Sequence, residues 1–134
     1  MKFATATMIV LCLLASTSWS ASNPLIRNCN LAGGEFTVIT LPDDQWALCK
    51  IGHAYVGAID VMGFNTQTAE PTAFLEYAEE HTECHGALTT ATILNTTTKI
   101  ELCRYADNSF IDTQTLNSGV QSSDNEVFNK YLGL

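Results

Sequence analysis

The sequence predicts an α+β fold: two disulfide-stapled helix–strand–strand repeats forming one antiparallel sheet with helices packed on it. Three observations carry that prediction. Nineteen residues separate Cys29 from Cys49, and eighteen separate Cys84 from Cys103. Each pair encloses similar text: glycine soon after the first cysteine (Gly33-Gly34, Gly86), a β-rich run, then a polar turn. Each ends alike, Leu48-Cys49-Lys50 against Leu102-Cys103-Arg104. A duplicated unit is expected to carry its bond inside itself, so the expected pairs are Cys29–Cys49 and Cys84–Cys103.

The first twenty residues read as a removable signal peptide. Lys2 supplies a positive start, and Met8 to Ala15 is an apolar run far below the about 20 residues a spanning helix needs. Ser18-Trp19-Ser20 offers small residues at the cleavage positions, which puts the mature start at Ala21. Residues 21–134 then form a single domain with four cysteines, an even number suited to an oxidising compartment. Periplasmic or secreted localisation follows as the expectation. Five Lys and Arg remain against fourteen Asp and Glu, a net charge of −9. That balance argues against nucleic acid and against an anionic membrane surface; it would attract a basic protein partner at longer range, or it serves solubility alone.

Repeat one spans residues 23–64. Asn23-Pro24 is an N-cap followed by a first-turn proline, predicting a helix from Pro24 to about Ala32 that Gly33-Gly34 terminates. Glu35 to Leu41 and Trp46 to Ile51 are β-rich, with Pro42-Asp43-Asp44-Gln45 as the turn. For Ala54 to Phe64 a third strand is expected, with a loose helix as the alternative; Gly52, Gly57 and Gly63 weaken the helix. Repeat two spans 71–113. Phe74, Tyr77, Ala78, His81 and His85 fall on one face at helical spacing, opposite Glu76, Glu79, Glu80 and Glu83. This predicts a helix running from Pro71 to Gly86. Strands follow at Ala87 to Leu94 and Lys99 to Tyr105, with Phe110-Ile111 echoing Tyr55-Val56. Asp112 to Ser122 reads as a loop. Ser123 and Glu126 form a capping-box pattern that opens a last helix, 124–132.

Asn23-Pro24, Cys29, Gly33-Gly34 and Cys49 together resemble a small family of exported bacterial domains often labelled hemolysin. The resemblance covers residues 23–64. It implies an exported or lipid-anchored domain without an established activity. Family members continue with a further cysteine pair; here Tyr55 and Asn65 stand at those places. Nothing in the sequence supports lysis: there is no long basic amphipathic helix and no alternating membrane hairpin.

The chemistry-bearing candidates are few. His81-Thr82-Glu83-Cys84-His85 places two histidines four apart, a spacing that on a helix lets both bind one metal. The zinc-protease pattern needs Glu directly after the first His, and Glu83 comes two later. Their place beside Phe74 and Tyr77 makes them packing histidines in the plainer reading. A cystine offers no thiolate, so no cysteine nucleophile is expected. Gly-x-Ser-x-Gly is absent. Asp43-Asp44 reads as a solvated turn, and Trp46 as core or as an exposed recognition aromatic. The sequence therefore predicts no catalytic residue, no cofactor and no enzyme. It predicts an exported protein-binding module of unknown partner, with inhibition of a cationic envelope-active enzyme as one candidate role. The alternatives are a metal-assisted hydrolase using His81 and His85, and a structural envelope protein without a discrete ligand.

Overall fold

A computed structural model describes residues 23–134. The expected signal peptide, 1–20, and the expected mature start at Ala21 lie outside the described residues. Helix α1 (Pro24–Leu31) is followed by β1 (Glu35–Thr40), β2 (Gln45–Ile51), β3 (Ala54–Gly57) and α2 (Ala58–Thr66). The second half repeats this order with α3 (Thr72–Ala78), β4 (Ala87–Ile93), β5 (Lys99–Arg104), β6 (Phe110–Asp112) and α4 (Thr113–Ser118). A 3₁₀ turn, Ser123–Asn125, leads into α5 (Glu126–Leu132). Each unit is thus helix–strand–strand–strand–helix, longer than the helix–strand–strand unit the sequence suggested.

The sheet is a closed six-stranded antiparallel barrel in the order β1-β2-β3-β6-β5-β4. This corrects the expected open sheet. Each unit is a three-stranded meander with two unpaired edges. Pairing β1 with β4 and β3 with β6 satisfies all four edges at once.

The pairing registers reveal a two-fold relation between the units. Cys49 lies opposite Phe36 and Val56; Cys103 lies opposite Leu88 and Ile111. Val56 therefore corresponds to Ile111 and, counting along the strands, Thr40 to Thr92. Those corresponding residues are paired with each other where the units meet, Thr40 with Thr92 and Val56 with Ile111. A two-fold axis places equivalent positions opposite one another in this way.

Strand alternation divides the core in two. Ile39, Leu41, Leu48, Ala91, Leu102 and Phe110 fill the barrel. Cys49, Ile51, Val56, Cys103 and Ile111 point outward, beneath a helical layer anchored by Phe74, Tyr77, Leu116 and Phe128. Cys29 is bonded to Cys49, and Cys84 to Cys103. Among the described residues no helix is long and apolar enough to cross a membrane.

Three predicted elements differ. After β3 the chain becomes α2, where a continued strand was expected. Gly57 is the N-cap, and Ala58, Val61 and Gly63 are buried along the helix. The predicted loop 112–122 contains α4, because Asp112 caps it by accepting from the Thr115 N–H. Helix α3 stops at Ala78, well before Gly86. Glu80 adopts φ 62°, and its N–H and that of His81 close back on Tyr77 and Glu76. That left-handed stop frees the chain to run extended and carry Cys84 to β5. Cys29 lies inside α1, whereas Cys84 lies outside any helix.

Gly86 consequently has another role than ending a helix. A Cβ there would collide with the Arg104 carbonyl, just as a Cβ on Gly34 would approach the Lys50 carbonyl to 2.9 Å. Lys50 and Arg104 are equivalent positions, so both units need a bare backbone at the same crossing.

Candidate functional site

The two-fold relation produces two equivalent clefts at the barrel rim. The first is about 350 Å³ and is lined by Asp44, Trp46, Gly57, Asp60, Arg104 and Asp107, among others. Its floor is Trp46, half-buried and stacked on Phe110 with ring centroids 5.3 Å apart. The β1–β2 turn holds the indole: Trp46 Nε1 donates to Asp44 Oδ2 at 3.0 Å, while Asp44 Oδ1 accepts from the Gln45 N–H. Trp46 is therefore both a barrel residue and a rim aromatic. Asp44, read from sequence as merely solvated, is the residue that orients it.

Arg104 leaves β5 and lays its guanidinium over the indole, 4.3 Å from the ring centre. Its Nη2 also donates to Asn108 Oδ1 at 2.7 Å. Asp107, in the β5–β6 turn, accepts from Ser109 and from both the N–H and the hydroxyl of Thr72. Burial pulls its pKa upward, but these hydrogen bonds prevail and hold it below the ordinary carboxylate value.

Asp60 behaves in the opposite way. Burial, helped by the Asp107 charge, pushes its pKa from 3.8 up to about 7, against the N–H groups of Phe110 and Gly57. Its Oδ2 accepts from the Phe110 N–H at 3.2 Å. The corresponding N–H in the other unit is that of Tyr55, and it donates to Asp112 at 2.8 Å. Asp112 corresponds to Gly57, not to Asp60. A Cβ on Gly57 would strike Asp60 Oδ2. The same carboxylate position is thus supplied from the helix cap in one unit and from one turn further on in the other.

The second cleft, about 370 Å³, is lined by Lys50, His53, Tyr55, Gln114, Thr115 and Asp124, among others. Lys50 takes the place of Arg104, with Nζ 5.5 Å from the Tyr55 ring centre. Trp46 has only Ile100 as its counterpart. The first cleft alone combines an aromatic floor with a carboxylate that titrates near neutrality.

The histidines are not packing residues. Because α3 ends early, His81 and His85 leave the apolar face and are exposed. Both turn their Nδ1 atoms to one carboxylate, Glu76: His81 to Oε2 and His85 to Oε1, the latter at 3.2 Å. The side-chain hydrogen bond from His81 lowers the Glu76 pKa, and Glu76 raises that of His81. Tyr105 lies near enough to feel the Glu76 charge, and among the described residues its buried hydroxyl has no hydrogen-bond partner.

Sequence reasoning singled out Trp46, His81 and His85 but missed Glu76, Arg104, Asp107 and Asp60. One signal was available for Asp60, the lone charge in the otherwise apolar stretch from Ala54 to Phe64. Set beside known proteins, the chain matches no family model, no curated protein and no solved structure.

Proposed function

We propose that this is an exported, non-catalytic binding module, periplasmic or secreted, that takes a cationic side chain of a protein partner into the Trp46 cleft. One observation carries the proposal: an aromatic floor already covered by a guanidinium and rimmed by Asp44, Asp60 and Asp107. Arg104 displays the chemistry the cleft accepts, a planar cation on an indole face. A partner's arginine or lysine replaces Arg104 there, and Arg104 keeps Asn108 as its own partner. The negative balance of the chain steers a basic protein toward this rim. A basic envelope-active enzyme held in an inhibited complex is the partner class that fits. The resemblance of residues 23–64 to the hemolysin-labelled family plays no part in this reading.

With residues 1–20 removed, Trp46 is the sole tryptophan, so its fluorescence reports on the cleft. Titration with a short oligo-arginine peptide at low and high salt tests the proposal. Binding should weaken with salt and tighten as pH rises through 7, where Asp60 ionises. Asp44→Asn should weaken it, and so should Trp46→Phe, which removes the fluorophore and is read by calorimetry instead. Arg104→Ala should strengthen it, because the competing guanidinium is gone. Salt-independent binding, or weaker binding to Arg104→Ala, refutes the cleft as the site.

A further inference from the structure

We propose that Glu76, His81 and His85 form a binding site for a divalent transition metal of the zinc class. The inference is independent of the Trp46 cleft. Its basis is convergence: one ligand atom from each residue lies within 4.8 Å of the others. The two imidazoles face separate oxygens of the same carboxylate, with ring centroids 5.6 Å apart.

The backbone holds this arrangement in place. Glu76 is set in the last turn of α3. The left-handed stop at Glu80 folds His81 back so that its N–H bonds the Glu76 carbonyl at 3.0 Å. His85 follows Cys84 directly, and the Cys84–Cys103 bond ties that residue to β5. A helix end and a cystine therefore fix all three ligands before any ion arrives. Preorganisation of this kind reduces the ordering a metal must impose on its ligands.

Two imidazole nitrogens and a carboxylate oxygen suit Zn²⁺, Ni²⁺ or Cu²⁺ better than Ca²⁺ or Mg²⁺, which prefer oxygen alone. Glu79 stands next to the cluster, its Oε2 3.9 Å from His81 Nδ1, and adds negative charge. Three protein ligands leave a coordination place open to water or to a donor from another molecule. The side chains of His81 and His85 are 44% and 56% exposed, so an ion reaches them from solvent without any opening of the fold.

The test is calorimetric titration of the disulfide-intact protein with Zn²⁺, together with the thermal midpoint with and without the ion. One ion per chain should bind and raise the midpoint. His81→Ala, His85→Ala and Glu76→Gln should each weaken binding by at least about tenfold. Asp43→Asn, exposed on the β1–β2 turn and outside the cluster, should leave it unchanged. Because both histidines are exposed, their variants should fold, and the metal-free midpoint checks this. Absence of Zn²⁺ binding overturns the inference and leaves the three side chains as a hydrogen-bonded group only. Equal binding by wild type and the His81→Ala/His85→Ala double variant also overturns it, placing the ion on surface carboxylates.

Discussion

Replacing Asp60 by Asn should stabilise the protein at alkaline pH and do little at acid pH. In the folded protein burial lifts this carboxyl from 3.8 to about 7. Between those values the folded protein holds a proton that the unfolded chain has already lost. Folding stability therefore falls as pH rises from about 4 to about 7, and the whole penalty is present above 7. At roughly 1.4 kcal/mol per pH unit the penalty is about 4 kcal/mol. That figure is a ceiling, since Asp60 is only half-buried at the cleft. Asparagine keeps an oxygen for the Phe110 N–H and carries no charge to desolvate. A gain of about 1–4 kcal/mol is expected above pH 8, at about 3–5 °C per kcal/mol for a domain of this size. Thermal melts of wild type and variant at pH 4 and pH 8.5 provide the double difference, in which other titrating groups cancel. Asp112→Asn is the contrast. Asp112 accepts from Tyr55 through Oδ1 and from Thr115 through Oδ2, and asparagine retains only one acceptor oxygen. It should lose about 1–3 kcal/mol at the alkaline end even though Asp112 is the more deeply buried of the two. If Asp60→Asn is no more stable than wild type at pH 8.5, the assignment of a buried, disfavoured charge is wrong.

The remaining predictions concern the scaffold. Gly86→Ala and Gly34→Ala should each cost more than about 2 kcal/mol, because the new Cβ meets backbone that cannot move aside. Gly33→Ala has open space but φ 77°, so denaturant unfolding should show a loss of only about 1 kcal/mol. Removing Cys84–Cys103 as a double Ala variant should cost about 3 kcal/mol from loop entropy. Removing Cys29–Cys49 should cost more, since both its sulfurs are wholly buried between α1 and β2. Equal losses for the two bonds in urea titrations would contradict that ranking.

The sequence by itself determined what local chemistry determines. Asn23 accepts from the Leu25 N–H as a cap, and β1, β2, β4 and β5 fall within a residue of their expected bounds. The spacing and matching text of the cysteine segments were enough to see a duplicated unit. Tertiary structure decided the rest. Barrel closure joins Thr40 to Thr92 and Val56 to Ile111, partners more than fifty residues apart, and no local pattern encodes such a pairing. The periodicity that predicted a long helix through His85 was overridden, because Cys84 must reach Cys103 and a left-handed turn at Glu80 allows it. Gly86 shows the same lesson in miniature: its place after a supposed helix suggested a cap, but it is required by a backbone crossing from β5. The candidate sites were the least legible, since each is assembled by long-range geometry. Trp46 and Asp60 meet Arg104 only where two units close on each other, and Glu76 meets its histidines only because the helix between them ends.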